Sequence, residues 1–159
     1  MALIEFGDSY KNNFYAIDGD GIAYIWGEGY QGPTKIETDV AIEDVSGKVL
    51  LGEDGRVYLV ENPTEALEYL NSIFEISCGE DHYLFVTLEG YVYSLGKGDL
   101  GQLGNGTYTE KTVPTLVKTE EGILSNVSSV SAGVKTSMAV TFDGKVYVWG
   151  DNTNKKLGV

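Results

Sequence analysis

The sequence predicts an all-β protein, a β-propeller-like array of about four blade units with one short helix near 63–74. Three observations carry this expectation. An acidic residue and a glycine are followed by a β-rich stretch four times, at Asp20-Gly21, Asp54-Gly55, Glu89-Gly90 and Asp143-Gly144, and internal repetition takes precedence over any local pattern. An apolar run precedes each pair, so each copy reads as a hairpin whose tight turn uses the positive φ of glycine. The strands are apolar at both alternating positions, as in Tyr83-Leu84-Phe85-Val86 and Val146-Tyr147-Val148-Trp149, so both faces must be covered. Radially stacked sheets meet that condition, and the short connections disfavour a parallel sheet with helical crossovers.

The units follow in order within a single expected domain, 1–159. The first, about 1–40, opens with Ile4-Glu-Phe-Gly7 and ends its hairpin in Trp26-Gly27. The second, about 41–75, starts from Val45-Ser-Gly47 and lacks a Trp-Gly ending. It also breaks the β pattern: Asn62-Pro63-Thr64-Glu65 combines an N-cap, a proline at the first helical position and a glutamate at the third. Ala66, Leu67, Tyr69, Leu70, Ile73 and Phe74 then recur at helical spacing. A short amphipathic helix is expected there, its apolar face covering a sheet edge or docking a partner chain. The third unit, about 76–125, and the fourth, about 126–159, share a longer signature. Ile76-Ser-Cys-Gly79 and Val130-Ser-Ala-Gly133 each stand eleven residues before the turn glycine. Trp26 and Trp149 end equivalent hairpins and should pack between blades.

These residues resemble a known family. Val-Ser-Ala-Gly, then Asp-Gly-x-Val-Tyr-x-Trp-Gly, with Asp99-Leu-Gly-Gln-Leu-Gly104-Asn-Gly106 and Pro114, are similar to the repeat of the regulator of chromosome condensation family of β-propellers. The resemblance is strongest over 76–159, weaker over 1–30 and weakest over 31–75. His82 stands where that repeat often has a histidine, and the other three units lack one. The resemblance implies a propeller that grips another protein through one face, as in an exchange factor for a small GTPase or a bacterial inhibitor of β-lactamases.

Charge narrows the partner. The net charge is −13, and residues 1–80 hold sixteen acids against four bases, whereas residues 81–159 hold eight against seven. Direct nucleic-acid binding needs clustered Lys and Arg to release counterions, and anionic membrane surfaces need the same; both are excluded as partners. A basic surface on another protein is favoured by steering and complementary potential. No apolar run approaches the roughly 20 residues that cross a bilayer. Met1-Ala-Leu-Ile-Glu5 lacks the features of a signal peptide, so a cytoplasmic location is expected. A monomer is preferred over a homo-oligomer because the charge opposes self-association.

Catalysis finds little support. There is one histidine and one cysteine, with no phosphate-binding Gly-Lys-Ser/Thr loop and no nucleophile elbow. No enzyme activity, metal or cofactor is expected. Cys78 reads as a buried thiol, and Asp18-Gly-Asp20-Gly as a β-turn rather than a calcium loop, because the later ligands are missing. Most of the eleven tyrosines, among them Tyr24, Tyr58, Tyr93 and Tyr147, occupy the repeated hairpin position and belong to the core. The expected contact surface comprises Tyr10, Tyr30 and Tyr108 from loops, together with Glu28, Glu37, Asp39, Glu43 and Asp44. The function expected is that of a non-enzymatic binding scaffold, an acidic inhibitor or decoy of bacterial or phage type. The alternatives are a self-assembling module or piece of a larger propeller, and an exchange-factor-like regulator.

Overall fold

A computed structural model of the chain describes residues 3–6 and 12–158. Four copies of one turn set its repeat. The glycine amide of each turn donates to the carbonyl three residues earlier: Gly21 to Asp18, Gly55 to Gly52, Gly90 to Thr87 and Gly144 to Thr141, at 2.8–3.1 Å. The four glycines hold φ of 75°, 71°, 80° and 82°. In each copy the residue that opens the turn also donates its amide to the carbonyl just beyond the glycine, which is the three-residue hairpin with a glycine bulge.

These turns organise four sheets. The first contains β1 (Leu3–Phe6), β2 (Asn13–Asp18), β3 (Ala23–Gly27) and β4 (Thr34–Lys35). The second contains β5 (Ile42–Ser46), β6 (Val49–Gly52), β7 (Val57–Leu59) and β8 (Asn62–Ala66). The third contains β9 (Ile73–Cys78), β10 (His82–Thr87), β11 (Val92–Gly96) and β12 (Lys111–Leu116). A small hairpin of β13 (Lys118–Thr119) and β14 (Gly122–Ile123) leads to a three-stranded sheet of β15 (Val127–Ala132), β16 (Thr136–Thr141) and β17 (Val146–Gly150). The strand pairings described are antiparallel between sequence neighbours, so the blade-like, all-β reading holds.

The chain divides into two compact units, residues 1–76 and 77–159. In the first, β2 packs on β5 and Tyr15, Ile25, Ile42, Leu50 and Tyr58 fill the space between the blades. In the second, β10 packs on β15 over Leu84, Val86, Val127, Val130 and Ala139, with Tyr147 and Trp149 against them. All four residues of β6 are buried, and so are the last four of β10. This is the burial on both faces that the unbroken apolar runs require.

The helix expected at 63–74 does not form. Residues 62–66 are β8, an edge strand in which Leu59 pairs with Asn62 and Tyr58 with Ala66. The Leu67 amide continues the ladder to Val57 at 2.7 Å. Tyr69 and Ser72 then take left-handed φ of 67° and 54°, which a helix cannot contain. A single helical turn has a costly nucleus, whereas the β7 edge offers paired backbone at once. Pro63 is tolerated because an edge strand can do without its amide donor. The Asn62 side chain, read as a cap, instead donates to the Glu65 carboxylate at 2.8 Å. Among the described residues the only helical turn is the 3₁₀ segment Thr153–Lys155, and no helix is long and apolar enough to cross a membrane. Cys78 is half-buried rather than buried, at the end of β9 where the chain turns toward Gly79.

Candidate functional site

Several acidic residues of the first unit gather at one end of its strands. The β2–β3 and β6–β7 turns lie at that end, and the chain returns to it after β4, where the Ile42 amide bonds the Gly21 carbonyl and the Glu53 amide the Ala41 carbonyl. A shallow cleft of ≈ 350 Å³ there is lined by Asp18, Glu43 and Glu53 beside Ile17 and Ile42. Glu43 and Glu53 are exposed, as are Asp20, Asp39 and Asp54.

Two of these carboxylates have structural duties. Asp18 accepts from the amides of Ile22 and Asp20, both at 3.0 Å, and from the Tyr24 hydroxyl at 3.2 Å. The Ile22 bond above all holds its pKa below the ordinary carboxylate value against the opposing effect of burial, with lesser help from the Asp20 and Tyr24 bonds. The expectation of a turn rather than a calcium loop is met here by the turn's own geometry. Asp54 plays the same part in the second blade, accepting from the Arg56 amide at 3.1 Å and the Tyr58 hydroxyl at 2.7 Å. Burial, then that hydrogen bond, the Asp54 charge and more weakly that of Asp39, push the Tyr58 hydroxyl up to about 12. Asp39 therefore belongs to this acidic end. Asp20, Asp39, Glu43 and Glu53 are the carboxylates of this end whose side chains hold no turn, and so the ones able to meet a partner.

The structure divides the rest of the expected surface. Glu37 is exposed and paired with Lys35 at 2.8 Å, and Asp44 is half-buried, its carboxylate accepting from the Val45 amide at 2.8 Å. Glu28 and Tyr30 follow Gly27, at the opposite end of β3, where Glu28 accepts from the Asn12 side chain at 3.2 Å. Tyr108 is 74% exposed but stands in the second unit. Tyr10 lies outside the described residues. Asp18, Glu53 and Asp54 went unread as a surface because in sequence they are indistinguishable from turn formers.

The second unit offers no reaction chemistry at its histidine. His82 is fully buried and Ser137 nearly so, with Nε2 and Oγ 2.8 Å apart. The Ser137 hydroxyl donates to the Gln102 carbonyl at 2.8 Å, so it accepts from His82, which fixes the proton on Nε2. Trp149 Nε1 donates to the same carbonyl at 2.9 Å. The group fastens the Asp99–Gly106 loop to the fourth blade, with Leu103 fully buried beneath it.

The fastened loop and the two blades it joins lie within the residues that a known family matches. The regulator of chromosome condensation (RCC1) repeat matches residues 89–140 in one form and residues 75–102 and 127–155 in another. The chain belongs to the regulator of chromosome condensation repeat family. Among relatives of this RCC1-repeat chain, the ultraviolet-B receptor UVR8 of Arabidopsis thaliana is 40% identical over 97 residues, covering 61% of this chain and 21% of the receptor. The human regulator of chromosome condensation is 38% identical over 102 residues, 64% of this chain and 23% of that protein. Protein pim1 of Schizosaccharomyces pombe is 34% identical over 157 residues, 91% of this chain and 26% of pim1. The chain thus spans about a quarter of the length of these relatives. Human WBSCR16 superposes with a TM-score of 0.79 at 19% identity, over 99% of this chain and 50% of that one. Yeast RCC1 (Prp20), solved with Kap60, gives 0.78 at 19%, over 98% and 45%. At such identity the structural likeness speaks to the fold alone.

Proposed function

We propose that this RCC1-repeat chain is a non-enzymatic protein-binding module whose acidic first unit receives a basic surface of another protein, in the manner of an inhibitor or decoy. The observation that carries the reading is the cleft end of the first unit, where Asp39, Glu43 and Glu53 stand exposed around two further carboxylates already committed to the turns. Like charges held together cost stability, and a complementary basic partner would relieve that cost while gaining a faster encounter. A yeast member of the fold is described by its binding to Gsp1p and histones, and histones are basic proteins.

The test uses core histones as the basic probe. In the full chain, Asp39→Asn, Glu43→Gln and Glu53→Gln together should slow association about tenfold at low salt and flatten its salt dependence, while thermal unfolding stays within a few degrees. Unchanged rates in a folded variant would place the contact elsewhere. A second reading, regulation of a small GTPase, is favoured by the 38% identity to the human regulator and by the Gsp1p binding of its yeast counterpart. Accelerated nucleotide release from a Gsp1-type GTPase, insensitive to the triple substitution, would select it.

A further inference from the structure

The two units build the junction between their blades from matching positions, but only one of them fills it. Aligned on their turn glycines, Gly21 with Gly90 and Gly55 with Gly144, the first and second blades fall on the third and fourth. The registers agree. Asn13 pairs with Gly27 and Tyr15 with Ile25 as His82 pairs with Gly96 and Leu84 with Ser94, and Leu50 pairs with Tyr58 as Ala139 pairs with Tyr147.

In the second unit the Asp99–Gly106 loop fills the junction. Ser94 Oγ donates to the Leu103 carbonyl at 2.7 Å, Ser137 Oγ and Trp149 Nε1 donate to the Gln102 carbonyl, and a Cβ on Gly150 would stand 3.3 Å from Gln102 Cα. His82 in turn donates to Ser137, and Leu103 is fully buried.

The first unit has no such loop. Its β3 ends at Gly27 and β4 begins at Thr34, whereas β11 ends at Gly96 and β12 begins at Lys111. At the corresponding place lies a cleft of ≈ 260 Å³. Ile25, Lys48, Val60 and Glu61, the counterparts of Ser94, Ser137, Trp149 and Gly150, line it together with Asn13, which holds the position of His82. Tyr30, 39% exposed, adds an aromatic wall. Asn13 Oδ1 is a buried acceptor with no hydrogen-bond partner, the kind of unmet group that a seated chain's amide satisfies. The cleft is at the opposite end of the strands from the acidic one, since Lys48 precedes β6 and Glu53 follows it.

We propose that this cleft receives a leucine-bearing turn of the Gly-Gln-Leu-Gly kind from another protein. The second unit shows what the position takes, a backbone carbonyl followed by a buried leucine. The chemistry carries over with two exchanges. The Lys48 ammonium, with more than one N–H to give, stands in for the Ser137 and Trp149 donors at the carbonyl. Ile25 and Val60 stand in for Ser94 and Trp149, so the leucine side chain meets a more apolar wall and gains by its burial. The turn comes from another protein because this chain's own copy, Gln102 and Leu103, is buried in its second unit.

A head-to-tail cyclised peptide carrying residues 98–107, held in its turn so that little ordering entropy is lost, is the probe. Titrated to millimolar concentration into the isotope-labelled full chain, it should saturate and shift the methyl resonances of Ile25 and Val60 and the side-chain amide of Asn13. The same peptide with Leu103→Asp should bind about tenfold more weakly or worse. In the chain, Val60→Glu puts a charge against the leucine and should abolish binding, with circular dichroism and thermal unfolding confirming the fold. Lys48→Met, which keeps the stem without the donor, serves if Val60→Glu unfolds, and should weaken binding severalfold. The variant Asp39→Asn, Glu43→Gln, Glu53→Gln should bind the peptide as the native chain does, which separates this site from the acidic end. No shift at the cleft, equal binding of the Leu103→Asp peptide, or native affinity in the folded cleft variants overturns the proposal.

Discussion

His82 carries a pH dependence that no exposed histidine would show. Its burial outweighs the pull of Asp81 and the Thr136 backbone and pushes its pKa down to about 4, against an ordinary value near 6.5. The unfolded chain therefore takes up the proton first as pH falls. The stability that His82 contributes is complete above about pH 6.5 and is lost as pH falls through about 4, in total roughly 3 kcal/mol at about 1.4 kcal/mol per unit. Urea unfolding at pH 7 and pH 4.5 should show this loss in the native chain and a smaller one in His82→Gln, which has nothing to protonate there. Equal losses would mean that carboxylates alone govern the acid limb. The sequence marked His82 as the one histidine at its repeat position, but its partner Ser137, 55 residues away, follows no local spacing. Pairing across blades is decided by how sheets stack, and a linear pattern does not carry that.

The hairpin turn was the most legible element, because its glycines recur and only a residue free of Cβ enters the left-handed region without cost. The same turn should respond unequally to alanine. At Gly144 no heavy atom lies within 4 Å of an added Cβ, so Gly144→Ala should cost only the backbone penalty, about 1 kcal/mol. At Gly21 the new Cβ would stand 2.7 Å from that of Ala41, and strain and crowding together should cost about 3 kcal/mol. Urea midpoints compare the two directly, and equal costs would show that packing around the turns is interchangeable. Trp149→Ala should cost about 3 kcal/mol, at the lower end for a tryptophan because its indole is not wholly buried; a loss under about 1 kcal/mol would show that the Asp99–Gly106 loop does not hold the fourth blade. The 63–74 segment was misread because capping residues and apolar spacing are local signals. An unpaired β7 edge is a tertiary fact, and it won.

At the scale of the whole molecule, charge was legible in amount and misleading in place. Counting acids located the excess in residues 1–80, but a strand has two ends, and Glu28 fell at one while Asp39, Glu43 and Glu53 gathered at the other. The crowding has its own signature: added salt screens charges beyond a Debye length of about 10 Å at 0.1 M, so thermal stability should rise with salt. The triple variant Asp39→Asn, Glu43→Gln, Glu53→Gln should unfold a few degrees higher than the native chain at low salt and show less gain from added salt in a scanning calorimeter. A lower midpoint would show that these carboxylates hold the fold together. The two Trp-Gly endings have a practical consequence. Because the chain has two tryptophans, Trp26 in residues 1–76 and Trp149 in residues 77–159, its tryptophan fluorescence, excited where tyrosine does not absorb, is the sum of one emitter per unit. Replacing either by phenylalanine leaves a dye-free optical reporter confined to the other half, able to time that half's unfolding by itself.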